Sequence, residues 1–223
     1  MCSDSGRDDP PYGGIETITG DETLLVLVPG PGDESLRCGG LIATCCRRGR
    51  PPFVMVLGDG TSSHPHTPDC PADRLAARHE RETRAAVACL GLPHDRLLMV
   101  GLFDGTIPVE GPVFDAVARA VTLVMWARDC NVICAPSRDD ATPAGRATAA
   151  VADAVAMGSQ VGRLAYITGV GVRPGGDAWR LDIAARLPAK HAAIAAHAAL
   201  GGTAVMAASE RLYEVLLRCD MVA

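Results

Sequence analysis

A loop of two glycines and two carboxylates, Gly30-Pro31-Gly32-Asp33-Glu34-Ser35, follows the apolar run LLVLV at residues 24–28. One chemistry it suggests is phosphate binding, because glycines behind a strand let the backbone approach a pyrophosphate at a helix N-terminus. The fit is imperfect. The third glycine of the G-x-G-x-x-G pattern is Ser35, and Asp33 and Glu34 place negative charge where the phosphate belongs. A ribose-binding acid is expected about 20 residues further on, and Asp59 lies beyond that. The other chemistry is that of a metal-binding loop that has lost its metal.

Other residues compete for such a role. The stretch SHPHTPDC brings His64, His66, Asp69 and Cys70 into one loop, and these are suitable ligand types for a relocated metal. Against this, polar loop histidines are mostly solvated. Asp139-Asp140 has the chemistry of a weak Mg²⁺ or Ca²⁺ site, and equally that of a helix cap or solvated turn. Asp59 and Asp104, each beside a glycine, shape turns as readily as they line a pocket. The nine cysteines include no C-x-x-C pair. Cys89, Cys130, Cys134 and Cys219 sit among Ala, Leu and Val, and read as reduced thiols acting as small buried hydrophobes.

Strands and helices alternate around these residues. LLVLV, PFVMVLGDG, RLLMV, NVICAP, LAYITGV, AWRLDIA and LYEVLLRC read as strands. Between them, LRCGGLIATCCRRG reads as a helix capped by Ser35 or Asp33 and ended by Gly49. ADRLAARHERETRAAVACLG is amphipathic, with Leu75, Val87 and Leu90 inward and Gly91 as its stop. PVFDAVARAVTLVMWARD, GRATAAVADAVAMG and AKHAAIAAHAAL are further helices. This order predicts an α/β fold with three α/β/α layers around a Rossmann-like, mostly parallel sheet. Ligands of such sheets bind beyond the carboxyl ends of the strands. Those ends fall at residues 29–35, 58–70, 102–108 and 135–145.

Bulk properties narrow the class. A chain of 223 residues suits one domain, predicted over 21–223 behind a disordered arm at 1–20. A net charge of −5 gives no basic footprint for nucleic acid or an anionic membrane. No apolar run approaches the roughly 18 residues of a membrane span. The polar, acidic start MCSDSGRDDPPYGG lacks the apolar stretch of a secretory signal, so a cytoplasmic location is expected.

Taken in order, the motifs resemble those of the PIG-L/LmbE family of zinc-dependent sugar N-deacetylases. The frame Pro29-Gly30-Pro31-Gly32-Asp33-Glu34, followed by Cys38-Gly39-Gly40, is similar to that family's Pro-His-Pro-Asp-Asp-Glu loop and Cys-Gly-Gly helix. Gly58-Asp59-Gly60 with His64, the helix ending at Leu90-Gly91, Gly101-Leu102-Phe103-Asp104-Gly105, and the LPAKHAAIAAH segment ending at His197 match further elements.

The resemblance implies zinc chemistry, in which the metal lowers the pKa of a bound water towards ~7. It also places the loss of that chemistry. Gly30 stands at the first ligand position and Gly32 at the general-base position. Thr142 and Gly145 stand at the two histidine positions of the second loop, and Asp33 alone remains of the ligand set. His79 takes the place of a substrate-side arginine, which the adjacent Arg78 cannot replace from ~100° around the helix. The expectation is a degenerate member with no catalytic set and no metal. Its pocket would be lined by Asp33, Glu34, Asp59, His64, His79, Asp104 and His197. It would act by binding a sugar-like small molecule, a protein partner or a second copy of itself. A divergent amide hydrolase, metal-free or with a relocated ion, is the alternative.

Overall fold

LLVLV forms β1 (Leu24–Val28), buried at all five positions, and alternation along it divides the core. Leu24, Val26 and Val28 face one apolar cluster, while Leu25 and Leu27 face another on the opposite side of the sheet. Successive side chains of a strand point to opposite faces, so an all-apolar strand needs cover on both. That cover comes from α1 (Ile15–Thr19), α2 (Asp33–Arg47), α3 (Ala72–Cys89) and α6 (Leu187–Ala196) on one side. On the other side it comes from α4 (Gly111–Ala127) and α5 (Pro143–Ser159). The computed structural model describes residues 10–61, 71–103, 105–167, 177–197 and 213–219.

The remaining strands are β2 (Phe53–Gly58), β3 (Leu97–Leu102), β4 (Val132–Pro136), β5 (Gly162–Ile167), β6 (Ala178–Asp182) and β7 (Tyr213–Arg218). They lie in the order β3-β2-β1-β4-β5-β7-β6. Strands β1 to β5 pair in parallel, whereas β7 runs antiparallel to both β5 and β6. The three-layer α/β architecture expected from the sequence is the one observed. The chain leaves β1 for β2 on one side and returns to β4 on the other. The loops after β1 and β4 therefore diverge at the switch point of the sheet, where ligands of this architecture bind.

Three local expectations are corrected. Residues 10–20 are structured rather than a disordered arm. Gly13 and Arg180 are hydrogen-bonded, N to O at 3.0 Å, and Ile15 and Ile18 of α1 are buried. An apolar pair spaced i, i+3 in a polar stretch was enough to seat one helical turn on the core. Helix α2 starts at Asp33, with neither Asp33 nor Ser35 capping it. Its N-cap is Gly32, and Ser35 instead donates to the Glu34 carboxylate. Cys89 is exposed and Cys219 half-buried, because each falls at an element's end, while Cys130 and Cys134 are buried as expected.

Close approach of α2 to the β6–α6 segment depends on two glycines. A Cβ on Gly40 would lie 2.3 Å from Ile183 Cγ2, and one on Gly39 would lie 3.0 Å from Lys190 Cγ. Glu214 of β7 braces the same contact. Its carboxylate accepts from the Gly40 and Leu41 amides, each at 2.8 Å, and from Lys190 Nζ at 2.7 Å. The helix that begins the candidate site is thus clamped to β7 and α6. Among the described residues no helix is long and apolar enough to cross a membrane.

Candidate functional site

The loop behind β1 turns through Gly32, whose φ of 92° lies in the region that side chains disfavour. This turn is held by Glu34, which is fully buried. Its Oε2 accepts from the Gly32 amide at 2.8 Å, and its Oε1 accepts from Ser35 Oγ at 2.8 Å. Oε1 also lies 2.7 Å from His197 Nε2, which joins the end of α6 to the start of α2 across 163 residues of chain. Glu34 and His197, both expected to line a pocket, instead form a buried pair that shapes the loop.

Asp33 is the retained carboxylate, and an arginine one helical turn along α2 engages it. Arg37 Nε lies 2.7 Å from Asp33 Oδ1. The same guanidinium reaches the loop after β4, where its Nη1 lies 2.6 Å from Asp140 Oδ2. The other Asp140 oxygen accepts from the Thr142 amide at 2.9 Å and from its hydroxyl at 2.7 Å. Thr142 Oγ1 in turn accepts from the Gly145 amide at 3.0 Å, capping α5. The sequence leaves the Asp139-Asp140 pair as a weak cation site, a helix cap or a solvated turn, and the structure has Asp140 buried and paired with Arg37.

The expected positions distribute unevenly around this centre. Among the described residues nothing lies within 4 Å of a Cβ built at Gly30. Gly145 is the reverse case, since its Cβ would lie 2.2 Å from Asp140 Oδ1. His79 of α3 is fully buried. It meets Pro31 around Gly60, where a built Cβ would lie 3.1 Å from His79 Cδ2 and 3.1 Å from Pro31 Cγ. Asp59 turns onto its own loop, accepting from the Thr61 amide at 3.0 Å and hydroxyl at 2.7 Å. Arg78 pairs with Glu82 along α3 at 2.8 Å. His64, His66, Asp69, Cys70 and Asp104 lie outside the described residues.

Burial pushes the Asp33 carboxyl up to about 6, against the pull of Arg37. Burial would also raise Asp140, but hydrogen bonds from Thr142 and the charge of Arg37 outweigh it and hold this carboxyl below its usual range. For His197, burial alone would favour the neutral ring. The hydrogen bond and charge of Glu34 outweigh that, so its pKa is raised. A base with a raised folded-state pKa contributes stability below its unfolded value, ~6.5, and loses it as pH rises through the folded value. The wild type is therefore expected to lose more stability than His197→Gln between pH 6.5 and 9, read as melting temperature against pH. Parallel curves for the two proteins would show that the pair does not titrate in this way.

These residues do not fit the zinc ion that the resemblance implies. Glycine offers no side-chain ligand at 30 or 145, and the carboxylate at 33 is engaged by a guanidinium. Among the described residues no group of three His, Cys, Asp or Glu side chains is placed to hold a metal. Arg37 escaped the sequence reading. Its signal was the i, i+4 spacing from Asp33, which puts opposite charges on one helix face.

Comparison with known proteins agrees with the fold. The N,N'-diacetylchitobiose deacetylase of Pyrococcus horikoshii superposes with a TM-score of 0.69 at 18% identity, over 80% of this chain and 70% of that one. A conserved protein of Thermus thermophilus gives 0.70 at 20% identity, over 91% and 96%. GalB, the 4-carboxy-2-hydroxymuconate hydratase of Pseudomonas putida, gives 0.68 at 17%, over 91% and 98%. At such identities these likenesses establish the fold alone, and a hydratase beside a deacetylase shows that one fold hosts different chemistries. No curated protein sequence matches the chain. The model of the GlcNAc-PI de-N-acetylase (PIG-L) family matches residues 25–156, which span β1 to most of α5 and include both loops of the site, and the chain belongs to that family.

Proposed function

We propose that this PIG-L protein is a degenerate member that binds a sugar-like small molecule and does not hydrolyse it. One observation carries the reading. At the positions where the family's resemblance puts two metal ligands and a general base, this chain has Gly30, Gly145 and Gly32. Amide hydrolysis at neutral pH needs a generated nucleophile and a proton acceptor, and glycine supplies neither. Binding needs less. At the carboxyl edge of the sheet Asp33 keeps a part-exposed carboxylate that suits a hydroxylated ligand, while Glu34, His79 and His197 are buried. The open space at Gly30 supports room for one. A protein partner or a second copy of the chain is a further occupant that this reading accommodates.

Purified protein tests it directly. Incubated with N-acetylglucosamine derivatives, with and without added zinc, it is expected to release no acetate above the blank. N-acetylglucosamine itself is expected to raise the melting temperature. Acetate release that disappears on chelation, together with about one equivalent of tightly bound zinc, would overturn the reading in favour of a divergent hydrolase.

A further inference from the structure

We propose that Arg37 is the resident cation of this site: its guanidinium joins Asp33, the carboxylate that the resemblance leaves of the ligand set, to Asp140, a carboxylate of the loop after β4. The site thereby carries a covalently attached positive charge in place of an exchangeable ion. The inference rests on the metal set being lost, and it holds whatever the pocket binds.

Three contacts make the altered positions parts of one rearrangement. Arg37 bridges the two carboxylates at 2.7 and 2.6 Å, with its side chain 16% exposed, that of Asp33 22% and that of Asp140 only 2%. Two carboxylates brought together away from water need a cation between them. A guanidinium provides it well, since its planar fork donates from separate edges to separate acceptors. The second contact is the space at Gly145. A Cβ there would lie 2.2 Å from Asp140 Oδ1 and 2.4 Å from its Cγ. Any side chain at 145 and this placement of Asp140 exclude each other, so the glycine at 145 is what permits it. The third is Thr142, at the other altered position of the same loop. It donates twice to Asp140 and fixes the carboxylate that Arg37 engages. Asp33 and Asp140 also receive different support, which lets one guanidinium hold both. Asp33 lies on the helix that carries Arg37, whereas Asp140 is 103 residues away and is presented by its own turn.

Melting temperatures at pH 8, after removal of adventitious metal, test the proposal in four proteins. The wild type is expected to be insensitive to millimolar Zn²⁺ or Mg²⁺. Arg37→Ala removes the positive charge between a part-exposed carboxylate and a buried one, and should melt roughly 5 to 15 °C lower. Added divalent cation should recover part of that loss in Arg37→Ala. In the triple variant Arg37→Ala, Asp33→Asn, Asp140→Asn, the melting temperature should rise above that of Arg37→Ala and the response to cation should vanish. If Arg37→Ala cannot be recovered folded, the triple variant decides: a folded triple supports charge compensation, and an unfolded one overturns it in favour of a packing role. The proposal is also overturned if Arg37→Ala melts with the wild type, or if its cation response persists in the triple variant. It falls as well if the wild type binds an equivalent of zinc that Asp33→Asn abolishes. Acetate release by a wild type that otherwise behaves as expected would refute the binding-only function and leave Arg37's role intact.

Discussion

The variant combining Gly30→His, Gly32→Asp, Thr142→His and Gly145→His is expected to bind no zinc and to melt roughly 10 °C or more below the wild type. Restoring ligand types to a relic would succeed if the backbone and its surroundings were unchanged, and only Gly30 meets that condition. Among the described residues nothing lies within 4 Å of a Cβ at Gly30. At Gly32 the φ of 92° makes an aspartate strained by roughly 1 to 2 kcal/mol. At Gly145 the new side chain displaces Asp140 from a closely packed position, which costs about 1 to 3 kcal/mol. Replacing Thr142 removes the hydroxyl that caps α5, worth about 0.5 to 2 kcal/mol. Arg37 meanwhile still holds Asp33. Adding Arg37→Gly and Asp140→Ala to the four substitutions is expected to return zinc binding, because it frees Asp33 and empties the space beside residue 145. Zinc content after dialysis separates the two variants. A full equivalent retained by the four-position variant would refute this account.

Glu214→Ala is expected to destabilise the fold by about 3 to 5 kcal/mol in urea unfolding, because it breaks a buried ion pair from one side. Lys190 would remain 4% exposed with its charge uncompensated. The Gly40 and Leu41 amides would also lose the carboxylate that now accepts from them. Glu214→Gln keeps an acceptor for the amides and should lose less. Lys190→Met combined with Glu214→Gln should recover part of the loss, since removing both charges is milder than stranding one. The effect reaches the site through α2, which carries Asp33 and Arg37 at one end and the Glu214 contact two turns later. A Glu214→Ala protein within about 1 kcal/mol of the wild type would show that the clamp contributes little.

Much of the fold was legible because burial on both faces leaves a strong mark. Every strand read from an apolar run appears in the sheet, and Leu75, Val87 and Leu90 point inward as their helical spacing requires. The errors lie at ends and in local polar chemistry. Ser35 has the type of a capping residue, but Glu34 beside it offers a carboxylate, and the hydroxyl donates there instead. The resemblance marked His197 as a candidate site residue. That its Nε2 would meet Glu34 was not legible, since the partner lies 163 positions earlier.

The sequence by itself determined the layered architecture and the order of the loops, which follow from residue type and periodicity along the chain. It also put Gly30, Gly32, Thr142 and Gly145 where the resemblance implies ligating or proton-accepting side chains. Only the tertiary structure decided what became of Asp33. Its engagement depends on where the switch point sets the loop after β4 against the loop after β1, which brings Asp140 onto Arg37 across 103 residues. An ion pair is fixed by distances of a few ångströms between side chains, and no spacing along the sequence encodes those distances before the sheet has formed.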